Sequence, residues 1–439
     1  MKKKRIAFGI IIFIIVGILG VFTYKIIRDP KIEDYNYFWE TLEEAFPYYS
    51  FLNEDNRLEK IKEEHKVKLD DLDYGNKDKI INFYNNIIYN ITNGRTIAHL
   101  GAYEKGQYMS LLKYSYLYEE INKLQKEEQI EYFYKSFGGD KKSIEKDLEE
   151  ILQSLKYEEK KLDSIVQNKR IQAFYNITEE DTKYLRNTVK KELGLEAENN
   201  STLKAAEAYM NSNIEKSIYI RLYSFDPTAT DDDCYNRIIN FIKSNNEKEN
   251  LIIDIRGNGG GDSQYWMRIM KYLIKKPESA KSISLFKENK ILEKYYKVPK
   301  DYRKYIRDLD EKDIVKFKYS KDFDFILEKT GTSLKPFGEE PIFNGRIWVL
   351  VDEGVYSAAM DFMDFCNSID YITTVGRNAG GGMNVGDCYL ALPNCGLVYI
   401  FDLSVRLNKE FLPTDIYGVS PDIYTEDDAL EYVKKEIEK

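Results

Sequence analysis

The spacing of hydrophobic and polar residues divides the chain near residue 216 into two parts with different predicted elements. From residue 31 up to that point, apolar side chains recur at the spacing of amphipathic helices. Beyond it, short apolar runs such as "NLIIDIRG", "RIWVLVDE" and "YITTVG" alternate with helical patterns. Strands that alternate with helices predict an α/β fold with crossover connections. Residues 384–405 depart from the alternation and predict a hairpin.

The same pattern divides the chain into four segments. Residues 107–215 have the charged, amphipathic pattern of helices, and the simplest prediction for them is two long helices. Residues 286–340 are long and charged, which predicts an insert at the rim of the α/β domain. The predicted segments are a cytoplasmic tip with an apolar stretch (1–29), a mostly helical N-terminal domain (30–106), a charged helical segment (107–215) and the α/β domain (216–439).

The first thirty residues have the pattern of a membrane anchor. A basic start, "MKKKR", precedes an uncharged run from Ile6 to Tyr24, whose length as a helix is roughly 28 Å, close to the bilayer core. A secretory signal peptide is the alternative, although its apolar region is usually shorter and "TYKIIRDP" offers no small-residue cleavage site. We therefore expect a single-pass cell-membrane protein with one N-terminal transmembrane helix, a cytoplasmic N-terminus and the remainder extracytoplasmic. If the segment were cleaved, the protein would be secreted.

Charge argues against nucleic acid or an anionic lipid surface as the main partner. The apolar content of 43% is that of a folded chain. Residues 1–28 hold six of the 65 basic residues and none of the 74 acidic ones, which leaves residues 29–439 with a net charge of −15. The sequence does not determine the oligomeric state.

The cysteines and histidines give no metal-binding pattern. The chain has four cysteines without Cys-x-x-Cys spacing and two histidines, so we expect neither a zinc site nor another metal cofactor. Cys388 and Cys395 are a weak disulfide candidate across a hairpin, and free buried thiols are the simpler expectation. His65 lies in a charged helical pattern, "IKEEHKVK", and is predicted to be solvated.

A glycine-rich stretch, "LIIDIRGNGGGDSQYW" (residues 251–266), indicates an anion site. Consecutive glycines directly after an apolar strand allow a sharp turn with nothing projecting from it. The following helix presents free N–H groups and the positive end of its dipole. Such a loop can hold a phosphate or a developing oxyanion, but neither phosphate-loop motif fits here. A purely structural turn is the alternative, and it would need fewer glycines.

A serine lies at a second strand-to-helix junction, in "LVDEGVYSAAMDF" (residues 350–362). On its own, Ser357 fits a helix N-cap, which is the common role of serine at such a position. A nucleophile that uses an oxyanion loop must also stand at such a junction, so that the two helix starts converge. Ala358 then offers a backbone N–H beside the nucleophile, and the small side chain of Ala359 lets the neighbouring backbone approach.

Four segments, in their order and spacing, carry a resemblance to a known family: "LIIDIRGNGGG", "VLVDEGVYSAAMDF", "TTVGRNAGGG" and "YGVSPDI". Over roughly residues 216–425 the chain resembles the C-terminal-processing or tail-specific protease family of serine peptidases, whose core is related to the ClpP/crotonase fold. The resemblance implies that residues 216–439 form the catalytic domain and that Ser357 is the nucleophile. It also implies an oxyanion hole formed by the amides of Gly259 or Gly260 together with Ala358, and no cofactor.

Two branches of the family differ in their catalytic base. One branch uses a Ser–Lys dyad and typically carries a PDZ domain, but this chain has no lysine between Ser357 and Lys409, and residues 107–215 lack the pattern of a PDZ domain. The other branch, similar to tricorn-type peptidases, takes a histidine near the N-terminal domain and a late acidic residue. By this resemblance the base is His99 in "NGRTIAHLGAY" and the orienting acid is Asp415 in "DIYGVSPDI", although the family's Asp-x-His-Thr motif is blurred at His99.

The sequence therefore predicts a membrane-anchored, extracytoplasmic serine endopeptidase that hydrolyses polypeptides. Its site would contain a serine nucleophile, a histidine base and an acidic residue that orients the base, with no metal. The alternative is a catalytically silent relative that acts as a peptide-binding or signalling ectodomain. The blurred histidine motif and the missing lysine keep that alternative open.

Overall fold

Helices dominate the described N-terminal part of the chain. The computed structural model describes residues 29–137, 141–195, 208–214, 216–225, 232–317 and 319–439. The first helix of the described residues begins where Asp29 accepts a hydrogen bond from the Lys31 amide (2.8 Å) and Pro30 takes the first helical position. The helices are α1 (Pro30–Ala45), α2 (Tyr49–Leu52), α3 (Arg57–Lys66), α4 (Lys77–Thr92), α5 (Lys105–Ile121), α6 (Lys126–Phe137), α7 (Lys141–Val166), α8 (Lys169–Phe174) and α9 (Glu179–Glu192).

The prediction of two long helices after residue 107 is wrong. The described residues there contain α5 to α9, because local caps interrupt the amphipathic pattern. Asn168 accepts hydrogen bonds from the Arg170 and Ile171 amides and starts α8. Thr178 forms a capping box with Asp181 and starts α9. Each N-cap therefore starts a new helix within a stretch that the amphipathic pattern alone does not divide.

His65 is buried, which corrects the prediction that it is solvated. It shares one face of α3 with Leu58 and Ile61, and that face is buried. Its ring lies 2.9 Å from the Ile61 carbonyl through Nδ1 and 3.0 Å from the Asn86 side chain through Nε2. With both ring nitrogens committed, His65 has a structural role in the N-terminal helices.

The remaining chain alternates strands and helices as predicted. The short strand β1 (Gly101–Ala102) lies between α4 and α5, and the short strand β2 (Tyr209–Asn211) lies between α9 and residue 216. The further strands are β3 (Ser217–Arg221), β4 (Asn250–Asp254), β5 (Glu278–Phe286), β6 (Lys304–Tyr305), β7 (Phe325–Leu334), β8 (Arg346–Val351), β9 (Ile372–Gly376), β10 (Cys388–Ala391), β11 (Val398–Phe401), β12 (Ser404–Leu407) and β13 (Ile423–Tyr424). The further helices are α10 (Asp232–Ser244), α11 (Ser263–Leu273), α12 (Lys290–Tyr295), α13 (Glu311–Lys316), α14 (Ala358–Asn367), α15 (Thr414–Tyr417) and α16 (Ala429–Glu438).

A six-stranded sheet, in the order β13-β9-β8-β4-β3-β2, is the centre of the α/β part. Its pairings are parallel except at the β2 edge. Alternate residues of each strand point to opposite faces, and both faces are covered. Leu251 and Ile253 pack with α10, α11 and α14, whereas Ile252 packs with α16. This two-sided burial explains the uninterrupted apolar runs of β4 and β8.

Two smaller antiparallel sheets connect this centre to the N-terminal helices. Their orders are β12-β5-β7-β6 and β1-β11-β10, and the predicted hairpin corresponds to β10 and β11. Both sheets share one hydrophobic cluster with the N-terminal helices, as in the edge-to-face contact of Phe38 with Tyr399 at 5.2 Å. The segment 286–340 supplies β6 and β7, so it extends a sheet that packs on the core.

Four other predictions concern the cysteines, the membrane span, the segment boundaries and the fold of the core. The four cysteines are free, and the expectation of free buried thiols is confirmed for all but Cys395, which is half-buried. The predicted membrane span from Ile6 to Tyr24 lies outside the described residues. Among the residues that are described, no helix combines the length and apolar character needed to cross a bilayer. The segment boundaries and the relation to the ClpP/crotonase fold stay predictions.

Candidate active site

Ser357 occupies a strained position at the start of α14. Its backbone has φ 54° and ψ −125°, a conformation that non-glycine residues rarely adopt. Although it stands at the N-cap position, its side chain makes no capping hydrogen bond. Its amide instead donates to the Gly381 carbonyl (3.0 Å), which fixes the turn. The hydroxyl is therefore uncommitted to the helix, and the capping interpretation does not fit.

The glycine loop packs directly against this serine. Strands β4 and β8 are parallel neighbours, so the loops that follow them leave the same edge of the sheet. Gly260 has φ 105°, and a Cβ there would lie 2.8 Å from the Tyr356 carbonyl oxygen and 2.9 Å from Ser357 Cβ. Only glycine allows this approach. The convergence of the two junctions that the sequence predicts is present.

Buried Asn258 holds the two junctions together. Its side-chain oxygen accepts from the Gly260 amide (2.9 Å), and its side-chain nitrogen donates to the Leu222 carbonyl (3.0 Å). Its own carbonyl accepts from the Tyr356 amide (3.1 Å). No predicted role in the sequence includes Asn258, although an asparagine within a glycine loop is a common source of such turn-forming bonds.

Some backbone amides around Ser357 already donate a hydrogen bond within the protein, and others do not. Gly260 donates to Asn258 and Ala359 donates to the Tyr356 carbonyl (3.2 Å). For the amides of Gly259 and Ala358 the described part of the chain offers no acceptor, and Ala358 is the first residue of α14, where N–H groups have no partner within the helix. Both residues line one cavity with Ser357. Gly259 and Ala358 are thus the pair of amides that fits an oxyanion hole.

His99 is placed by the pairing of β1 with β11. Gly101 pairs with Ile400 in an antiparallel ladder. Just before this ladder the chain turns at Ala98 and His99, which both have positive φ (47° and 50°), and the Ala98 carbonyl accepts from the Asp402 amide (2.8 Å). His99 Nδ1 lies 2.8 Å from Asp402 Oδ2, and the Asp402 side chain has no exposed surface. Because Nδ1 is committed, Nε2 is the nitrogen available for proton transfer. His99 lines the same cavity as Ser357, and its ring contacts that of Tyr356 at 5.4 Å.

The structure pairs the imidazole with Asp402, not with the Asp415 that the resemblance indicates. Asp415 is buried and accepts hydrogen bonds from the amides of Ala98 and Gly382 (both 2.6 Å) and from the Asn384 side chain (2.8 Å). These bonds hold the turn before His99 and the second glycine run together. Asp415 therefore supports the position of the histidine from behind.

The carboxylates near His99 change its protonation. Burial lowers the pKa of His99, but the charge and hydrogen bond of Asp402, with the charges of Asp387 and Asp415, outweigh it and raise the pKa to about 9. Burial raises the pKa of Asp415, although its three hydrogen bonds oppose the shift. Burial and the neighbouring Asp402 charge raise the pKa of Asp387 as well. The imidazole is therefore cationic at neutral pH in this arrangement.

A second glycine run closes the other side of the serine turn. A Cβ on Gly382 would lie 2.5 Å from the Tyr356 ring and 2.8 Å from the Ser357 amide nitrogen. The lysine-dependent branch of the resembled family places its base in this region, and here the backbone itself fills the space. The base must come from elsewhere, and His99 is the residue that the structure brings to the cavity.

Serine hydrolases are the class of enzyme that needs this combination, because a hydroxyl attacks a carbonyl only with a base for its proton and donors for the oxyanion. In the sequence comparison, residues 216–425 match the model of peptidase family S41. Over these residues, just under half of the chain, the protein is similar to the serine peptidases of family S41. No curated protein sequence matches the chain.

The solved structures found by comparison are distant in sequence. A candidate peptidase from Parabacteroides merdae is 14% identical, with a TM-score of 0.48 over 93% of each chain. Mature CPAF complexed with lactacystin is 17% identical, with a TM-score of 0.37 over 54% of this chain and 56% of its own. The photosystem II D1 C-terminal processing protease is 15% identical, with a TM-score of 0.30 over 54% of this chain and 50% of its own.

Replacing Gly260 by alanine is expected to lower the free energy of unfolding by about 2 kcal/mol or more, because the new methyl group meets backbone atoms and φ is positive. The shift of the urea denaturation midpoint measures the effect. Gly259→Ala is the matched control, since its φ is not positive and no atom lies within 4 Å of the added Cβ. Equal midpoints for the two variants would contradict the close packing of the loop.

Proposed function

We propose that the protein is a serine endopeptidase with Ser357 as nucleophile, His99 as base and Asp402 as the residue that orients the base. The observation that carries the proposal is the strained, uncommitted serine in the same cavity as a histidine whose Nδ1 is bound to a buried carboxylate. The strain supports a functional role, because a cap residue gains nothing from it.

In the proposed reaction, Ser357 Oγ attacks the carbonyl carbon of a peptide bond while His99 Nε2 takes the hydroxyl proton. Asp402 holds the imidazole in the tautomer with a proton on Nδ1 and stabilises the imidazolium that forms. The amides of Gly259 and Ala358 stabilise the negative oxygen of the tetrahedral intermediate, and each such donor lowers the barrier by about 3 kcal/mol. His99 then gives its proton to the leaving amine, and water hydrolyses the acyl-enzyme with the same base.

We also propose that the peptidase is tethered to the cell membrane and acts outside the cytoplasm. The support is the sequence of the first thirty residues, in which a basic start precedes an uncharged run of bilayer length. A ClpP/crotonase-like core is part of the same proposal, on the resemblance of the four sequence segments alone.

The test of the catalytic proposal is labelling of the purified full-length protein with a fluorophosphonate probe, with the adduct mapped by mass spectrometry. We expect one adduct at Ser357, loss of labelling in Ser357→Ala and strongly slowed labelling in His99→Ala. Ser110→Ala, which changes an exposed serine on α5, is the control and is expected to label normally. Well-folded protein without an adduct would favour a catalytically silent relative, and undiminished labelling of His99→Ala would refute the proposed base.

A further inference from the structure

A carboxylate stands one helical turn beyond the candidate nucleophile. Asp361 lies in the first turn of α14, where its amide donates to the Ser357 carbonyl (3.0 Å), so the two side chains start about 6 Å apart along the helix axis. Asp361 and Ser357 line the same cavity, whose volume of about 860 Å³ is large enough for several residues of a peptide. Asp361 therefore faces the space next to the reacting carbonyl.

The Asp361 carboxylate has neutral partners only. Its oxygens accept from the Thr332 hydroxyl on β7 at 3.1 and 3.2 Å, and no cation among the described residues lies within 4.0 Å of it. The nearest guanidinium on the wall, that of Arg406, is already neutralised by Asp364 (2.9 Å) and also donates to the Lys281 carbonyl (2.9 Å). The other cationic groups on the wall are the Lys329 amine, which donates to the Tyr296 hydroxyl (3.3 Å), and the His99 imidazole, which is paired with Asp402. Asp361 is thus an anion to which no cationic side chain of the described wall is bound.

The Asp361 carboxylate is poorly solvated because the side chain is half-buried, and a bound cation would stabilise its negative charge. The side chain is half-buried, and burial raises the pKa of Asp361 to about 6, so the carboxylate is ionised at neutral pH. A half-buried charge is stabilised when a cationic ligand forms hydrogen bonds with it in a site of low dielectric. Lysine and arginine carry their charge at the end of a long apolar stem, which suits a site one helical turn from the peptide backbone.

We propose that Asp361 is a specificity-determining residue that binds the cationic side chain of a lysine or arginine next to the bond that Ser357 attacks. This assignment rests on the proposed peptidase function. A free α-amino group offers the same cationic chemistry, but the side chain is favoured because it reaches a wall site while the substrate backbone passes through the cavity.

The test uses the full-length protein and has two stages. A mixture of denatured proteins is digested and the cleavage sites are mapped by mass spectrometry, with Lys and Arg expected to be enriched at one position beside the cleaved bond. Peptide pairs that differ only by Lys or norleucine at that position then give kcat/KM ratios, expected to be about 10- to 100-fold in favour of Lys. N-terminally acetylated copies of the pairs are expected to behave identically, which separates the side chain from an α-amino group.

Three variants connect the preference to Asp361. Asp361→Asn is expected to bring the ratio within about threefold of unity, whereas Asp361→Glu keeps the charge and most of the preference. Asp370→Asn, an equal change of charge at an exposed site after α14, is expected to leave the ratio unchanged. A preference that survives in Asp361→Asn, or that depends on a free amino terminus, overturns the assignment. Cleavage that requires Ser357 but shows no preference for Lys or Arg overturns the role of Asp361 and leaves the peptidase proposal intact. Absence of any Ser357-dependent cleavage overturns the peptidase proposal as well.

Discussion

Asp402→Asn is expected to lower kcat by about 10,000-fold while KM changes little. Asp402 accepts the Nδ1 proton of His99 and so leaves Nε2 unprotonated for the Ser357 hydroxyl. An asparagine amide would donate to Nδ1 and favour the tautomer with the proton on Nε2, which cannot act as a base. The measurement is steady-state kinetics on a peptide substrate, with the urea midpoint recorded to show that the variant is folded.

Asp415→Asn is the matched control, because it makes the same change in the other candidate carboxylate. Asp415 accepts three hydrogen bonds, from Ala98, Gly382 and Asn384, and an amide in its place sets a donor against at least one of these donors. An unsatisfied buried group costs about 1–3 kcal/mol, so the main loss is expected in stability. A kcat loss in Asp415→Asn as large as in Asp402→Asn, with the urea midpoint unchanged, would restore Asp415 as the orienting acid.

The second large effect concerns pH: kcat/KM is expected to rise nearly tenfold between pH 7 and pH 8 and about 50-fold between pH 7 and pH 9, where half of the imidazole is neutral. His99 must be neutral to accept the serine proton, and its pKa is raised to about 9 because nearby carboxylates outweigh burial. The stability of the fold changes with pH in the opposite direction to kcat/KM. The cation–carboxylate pair stabilises the fold fully below the ordinary histidine pKa of about 6.5 and this contribution is lost as the pH rises through 9.

The control for the pH profile is Asp387→Asn, which removes one of the charges that raise the pKa of His99. The acidic limb of the profile is expected to move to lower pH in this variant, with the plateau value largely retained. A wild-type limb centred near pH 6.5 would show that the carboxylates do not hold the proton on His99. An Asp387→Asn limb that stays in place would assign the shift to Asp402 and Asp415.

The parts of the site that follow strands could be predicted from sequence. The apolar runs of β4 and β8 identify buried parallel strands, and their neighbouring ends must share one edge of the sheet. A glycine loop at one end and a serine at the other are then brought together by topology. The order of the strands and helices along the chain is enough to predict that the glycine loop and the serine meet, and no interatomic distance is needed.

Asp402 could not be predicted from the order of strands in the sheet. Its role depends on the register of β11 against β1, and β1 is two residues long, too short to show any periodic pattern. The signal that was available is an acid inside the apolar run "LVYIFDLSVRL", where a charge must have a partner. His65 is a similar case, since its spacing from Leu58 and Ile61 places it on the buried face of α3 despite its charged neighbours.

The distance in sequence between the parts of the histidine site has a consequence for biosynthesis. His99 is made early, but the groups that fix its turn and its tautomer are Asp415 and Asp402, about three hundred residues later. A nascent chain therefore has no oriented base until almost all of it has been translated and the β1–β11 ladder has closed. In the proposed mechanism, the protein therefore gains proteolytic activity only after translation has passed Asp415 and the chain has folded around His99.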